Sequence, residues 1–105
     1  MNVPATLAAV RSLGGPVLYL SHGPDAARPL PRGAVLLTGH THCGQIALPL
    51  LGPIWIPSRH HLGYTCGRYD HLGKIVIVSA GVGTSDLPFR FWAPPDWWLV
   101  TIKSR

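Results

Sequence analysis

Glutamate is absent from this chain, and the only acids are Asp25, Asp70, Asp86 and Asp96. Charged residues make up 12% of the sequence, about half the usual share. A chain of 105 residues has much surface for its volume and ordinarily covers it with Lys, Glu and Asp. The shortage implies a surface built in part to face more protein. Cysteine is also scarce. A disulfide between Cys43 and Cys66 is possible on count, but two cysteines with no basic and apolar leader after Met1-Asn2-Val3-Pro4 do not form the pattern of a disulfide scaffold. They are expected as two small buried or half-buried thiols. Zinc ligation by Cys43 is the alternative, although no Cys-x-x-Cys pair completes such a site. Long apolar runs are missing too. The charge-free stretch between Arg32 and Arg59 is broken by His40, His42, Gln45, prolines and glycines, which excludes a membrane-spanning helix in this chain. The net charge of +5 comes mostly from scattered arginines, with no basic run. That distribution argues against nucleic acid as a partner and remains compatible with a phosphorylated substrate.

What is present is a hydrophobic fraction of 47%, enough for one small domain with a core. Residues 5 to 13 are expected as a short helix stopped by Gly14-Gly15-Pro16. Val17–Ser21 and Ala34–Thr38 are expected strands, separated by a proline-rich loop from Pro24 to Pro31. Gln45–Leu48 is expected as a short strand and 49–64 as loop. Lys74–Ser79 is the clearest strand, running into the glycine-rich turn Ala80–Ser85, and Trp98–Ile102 alternates as a last strand. One helix among several strands implies a mixed sheet layer belonging to a larger sandwich.

Two of the expected strands end in histidine. Ser21-His22 closes the first; Gly39-His40-Thr41-His42-Cys43-Gly44 follows the second, with glycines on both sides that let the backbone bend. Neutral imidazole is a common ligand for zinc and iron. Adjacent strands ending this way would build one metal-binding lip from His22, His40 and His42. His60, His61 and His71 fall in expected loops and are expected to be solvated. The Gly81–Ser85 turn is expected either to cradle a phosphate or to let the chain double back. Arg90 is a candidate for contacting a substrate phosphate, with pairing to Asp86 or Asp96 as the structural alternative. Trp92, Trp97 and Trp98 are expected to pack at a sheet edge.

Ser21-His22-Gly23-Pro24-Asp25, Gly39-His40-Thr41-His42-Cys43-Gly44-Gln45 and Gly81-Val82-Gly83-Thr84-Ser85 with Leu87-Pro88-Phe89-Arg90-Phe91 resemble the C-terminal half of a calcineurin-like metallophosphoesterase, bacterial phosphodiesterase branch. The resemblance runs over residues 17–102, and the chain, 1–105, would be a single partial domain. It implies part of a four-layer α/β/β/α sandwich. It also implies a dinuclear centre of divalent metal (Mn, Fe, Zn or Mg) hydrolysing a phosphate ester of the phosphodiesterase or pyrophosphatase type, on a phosphorylated small-molecule or lipid-linked substrate. His22 and His40 would then bind one metal and His42 the other, and Asp25 is not assigned as a ligand. The family's Asp-x-His, bridging Gly-Asp and Gly-Asn-His motifs are absent from this sequence. Two dications roughly 3.7 Å apart repel by about 18 kcal/mol at an effective dielectric near 20, and imidazoles do not neutralise them. No catalytic residue is therefore assignable in this chain, which alone should hold at most one weakly bound ion. The chain is expected to work with a separate N-terminal half or by self-association. The other reading is an inactive binding module. Its expected place is cytoplasmic, or membrane-associated through a preceding segment.

Overall fold

Val35-Leu36-Leu37-Thr38 and Lys74-Ile75-Val76-Ile77-Val78 are aliphatic and β-branched on both faces, the signature of strands covered on two sides. They form the centre of a sheet. The computed structural model describes residues 2–56 and 63–103. Its elements are α1 (Val3–Arg11), β1 (Leu18–Leu20), a short 3₁₀ helix (Pro24–Ala27), β2 (Val35–Thr38), β3 (Ile46–Leu48), β4 (Gly52–Trp55), β5 (Gly67–His71) and β6 (Lys74–Val78). The larger sheet runs β1-β2-β6-β5, and β3-β4 is a separate pair. β1, β2 and β6 are mutually parallel, and β5 returns antiparallel to β6. The expected α/β class is thus met as a mixed fold with sheets and few helices. No helix among the described residues is long and apolar enough to cross a membrane.

Four expectations need correction. The helix lies two residues earlier than expected, because the Asn2 side chain accepts from the Ala5 amide at 3.2 Å and Pro4 is tolerated in a first turn. β4 lies inside the expected loop; its Pro53 is acceptable because the strand is at an edge. β5 was not expected at all. Its Arg68, Asp70 and His71 are exposed, so its hydrophobic pattern is weak, and pairing with β6 defines it. Trp98–Ile102 forms no strand despite its alternation, since a strand needs a partner as well as a pattern.

One face of the sheet carries the core: Leu36, Val76 and Val78 pack with Ala26, Ala27, Leu30 and Tyr64, and Tyr19 and Tyr69 extend it. Strand register places Leu18, Val35 and Ile75 in one row of the opposite face and Leu20, Leu37 and Ile77 in the next. Ile77 is buried, whereas Leu18 is 39% and Leu20 71% exposed. A largely parallel sheet is ordinarily covered on both faces; here the β1 side of the second face is open.

Candidate metal centre

Parallel pairing carries the ends of β1, β2 and β6 to the same edge, the carboxyl edge where open α/β sheets place their ligands. His22 follows β1, His40 and His42 follow β2, and Ser79–Ser85 follows β6. The first two turns are stitched at the backbone. The His22 carbonyl accepts from the Gly39 amide at 3.2 Å and from the Thr38 hydroxyl at 3.1 Å. His22 and His40 consequently stand with ring centroids 4.3 Å apart. His22 is exposed, and His40 and His42 are half-buried.

The 39–44 turn is held in costly backbone. His40, His42 and Cys43 have φ of 70°, 50° and 55°, a left-handed region that non-glycine residues enter at about 1–3 kcal/mol each. Three anchors hold it. Thr41, fully buried, donates its hydroxyl to the Thr65 carbonyl at 2.6 Å. Gly44, at φ 68°, lies so close to Pro53 that an added Cβ would collide with its ring carbons. Cys43 and Cys66 are joined in a disulfide, with Cα atoms 4.6 Å apart. The expected thiols are thereby corrected: two cysteines 23 residues apart are neighbours only because β5 enters the sheet beside the histidine turn.

Gln45 is the residue that sequence reading undervalued. Its side chain is fully buried. Its Nε2 donates to the Leu87 and Phe89 carbonyls, both at 2.9 Å, and its Oε1 accepts from the Ser85 amide at 2.6 Å. The backbone adds bonds from the Phe91 amide to the Gln45 carbonyl and from the Ala47 amide to the Phe91 carbonyl. The carboxamide thus pins segment 85–91 against the histidine turn. The available signal was a lone glutamine opening an otherwise apolar strand.

Arg90 reaches neither Asp86 nor Asp96 in any described ion pair. Its Nε donates to the Gly83 carbonyl at 2.9 Å, Nη1 to His42 and Ala93 at 3.1 and 3.3 Å, and Nη2 to Ala80 and Gly83, both at 2.6 Å. The guanidinium buckles the turn after β2 to the turn after β6. Asp96 instead accepts from the Ser79 hydroxyl at 2.6 Å and the Ala80 amide at 2.8 Å. The Gly81–Ser85 turn is therefore at least a structural reversal, tied down by Arg90 and Gln45. His71 accompanies Tyr64, whose hydroxyl lies 2.6 Å from its Nδ1. His60 and His61 lie outside the described residues. Trp92, Trp97 and Trp98 are exposed rather than packed.

His42 has its pKa lowered from 6.5, first by burial and then by the Arg90 charge, against a hydrogen bond to the Ala80 backbone that raises it. In the neutral ring one nitrogen carries the proton, and Arg90 Nη2, which can only donate, stands 3.3 Å from Nδ1. A native pKa below the unfolded one means that the unfolded chain binds more protons. The stability contribution is then complete above pH 6.5 and is lost as pH falls through 6.5 toward the lowered native value. Proton NMR should show the His42 ring titrating below 6.5; a midpoint at or above 6.5 would contradict the burial and charge argument.

Three histidines stand along this edge, and among the described residues no carboxylate is grouped with them. Comparison with known proteins gives the class. The chain is 42% identical over 89 residues to an uncharacterized metallophosphoesterase of Bacillus subtilis, covering 83% of this chain and 31% of that protein. It is 34% identical over 93 residues to an uncharacterized metallophosphoesterase of Aquifex aeolicus, covering 85% of this chain and 33% of that protein. A zebrafish transmembrane protein with a metallophosphoesterase domain is 30% identical over 97 residues, 85% of this chain and 20% of that protein. The chain thus spans a third or less of the curated relatives it matches, within their C-terminal part. No family profile matches the chain, and no solved structure matches it. This protein is a segment of the metallophosphoesterase family.

Proposed function

We propose that the histidine edge is the C-terminal share of a dinuclear phosphoesterase centre, with His22 and His40 serving one metal and His42 the other. The observation that supports this reading is the pairing of His22 with His40, ring centroids 4.3 Å apart, at the carboxyl edge of β1 and β2, with His42 on the same turn two residues on. The donor set fits a divalent metal: imidazole suits zinc and iron, and His42 is kept neutral by burial. It does not fit a pair of dications without added carboxylates, so residues 1–105 alone hold one ion weakly. Metal ions bound in the complete domain would supply Lewis-acid activation of a phosphodiester or pyrophosphate and of water.

This chain's own residues position that chemistry. Gln45 and Arg90 hold the two turns, and the rigid 39–44 backbone fixes where His40 and His42 stand. Arg90 fits the role of a positioning residue better than that of a phosphate clamp, because its N–H groups are engaged by carbonyls. The open aliphatic face around Leu18 and Leu20 supports a second layer, as in a four-layer sandwich, supplied by another polypeptide segment together with the missing carboxylates.

The test is a chimera in which residues 17–103 replace the matching segment of the Bacillus subtilis relative. With manganese, it should hydrolyse bis(p-nitrophenyl) phosphate and lose that turnover on His40→Ala, while residues 1–105 alone show none. An inactive chimera beside an active parent would sink the proposal. Robust turnover by the 105-residue chain, abolished by His40→Ala, would overturn the incomplete site.

A further inference from the structure

The disulfide does not stand alone. One ligand atom each of Cys43, Cys66 and Asp96 lies within 4.8 Å of the other two. Asp96 is held in place by the Ser79 hydroxyl and the Ala80 amide, both bonded to Oδ1, so its carboxylate is oriented by the turn after β6. Cys43 is buried, Cys66 exposed and Asp96 half-buried. All three line one open groove of about 480 Å³, with Ala47, Pro53 and Trp92. A metal and a reductant can therefore both reach the sulfurs from solvent.

We propose that the Cys43–Cys66 disulfide masks a second metal site, a Cys₂Asp set that takes zinc when the bond is reduced. Two thiolates and a carboxylate match the ligand preferences of Zn²⁺, with a fourth position open to the groove. The oxidised pair lacks the thiolate charge that makes cysteine a ligand. In the reducing step a dithiol thiolate attacks one sulfur, the S–S bond breaks, and the mixed disulfide is resolved by the second thiol. The dithiol leaves oxidised, and its two electrons leave Cys43 and Cys66 as thiols. Zinc binding then releases their two protons to solvent. The site is separate from the three histidines and needs none of them.

Cobalt(II) is the probe, because thiolate ligation adds a sulfur-to-cobalt charge-transfer band that histidine ligation lacks. The chain is reduced with a phosphine, desalted without oxygen and titrated with Co²⁺. The expected result is that band at one equivalent, displaced by Zn²⁺, absent from the oxidised chain and kept when His22, His40 and His42 are all replaced by alanine. Asp96→Asn keeps an oxygen for Ser79 and Ala80 and should weaken Co²⁺ binding at least tenfold. No charge-transfer band in the reduced chain overturns the proposal. So does a band that Asp96→Asn leaves unchanged, because thiolates in a loosened chain would bind without the carboxylate; far-UV circular dichroism records that loosening.

Discussion

Gln45→Glu should lower the unfolding free energy by about 3–5 kcal/mol, the scale of a buried charge left without its partner. The two carbonyls now served by the carboxamide, of Leu87 and Phe89, would face a carboxylate oxygen in place of an N–H donor. Water cannot relieve the conflict, because Gln45 is fully buried. Protonation of the new carboxyl restores one donor. Its pKa in the folded chain is raised by burial, so the loss should be largest at neutral pH and shrink as the solution is acidified. Urea denaturation across pH reads both effects. Gln45→Met, which fills the same volume without charge, should cost less, about 1–3 kcal/mol for the polar groups it leaves unserved. If the glutamate variant loses less than about 1 kcal/mol at neutral pH, segment 85–91 is not pinned as described.

Arg90→Met should weaken metal binding at the histidine edge by about 10–100-fold, the usual consequence of removing a group that orients a ligand. The guanidinium joins the carbonyl of His42 to those of Ala80 and Gly83, so its loss frees the histidine turn from the turn after β6. The His42 pKa should rise at the same time, since the Arg90 charge is among the causes that lower it. A ring that protonates more readily competes more strongly with the metal. Calorimetric titration of the chimera with Zn²⁺, with His42 followed by NMR, separates the two contributions. Arg90→Lys should not rescue affinity, because an ammonium group cannot span the planar set of carbonyls that a guanidinium reaches. Unchanged affinity in Arg90→Met, or full rescue by lysine, would remove Arg90 from the positioning of His42.

The parts of the site that were legible in the sequence are those encoded locally. His22, His40 and His42 each follow an aliphatic run, and such runs become parallel neighbours because both their faces need cover. Gly39 and Gly44 bracket a turn that must bend sharply. β5 and β4 were not legible, because edge strands carry polar residues or proline and are recognised by their partner rather than by their own pattern. Trp98–Ile102 is the converse case, where alternation exists and no partner strand meets it.

By itself the sequence determined that this chain carries three histidines at strand ends, no family carboxylate motif and too few charges to coat its own surface. Those are properties of composition and order, readable without coordinates. Only the tertiary structure decided which distant groups meet. The sheet order β1-β2-β6-β5 brings the turn after β6 beside the histidine turn, where Arg90 buckles the two together. The same order sets Cys66 against Cys43 and Asp96 beside both. Such pairings depend on how strands far apart in the chain stack, and no local spacing records that.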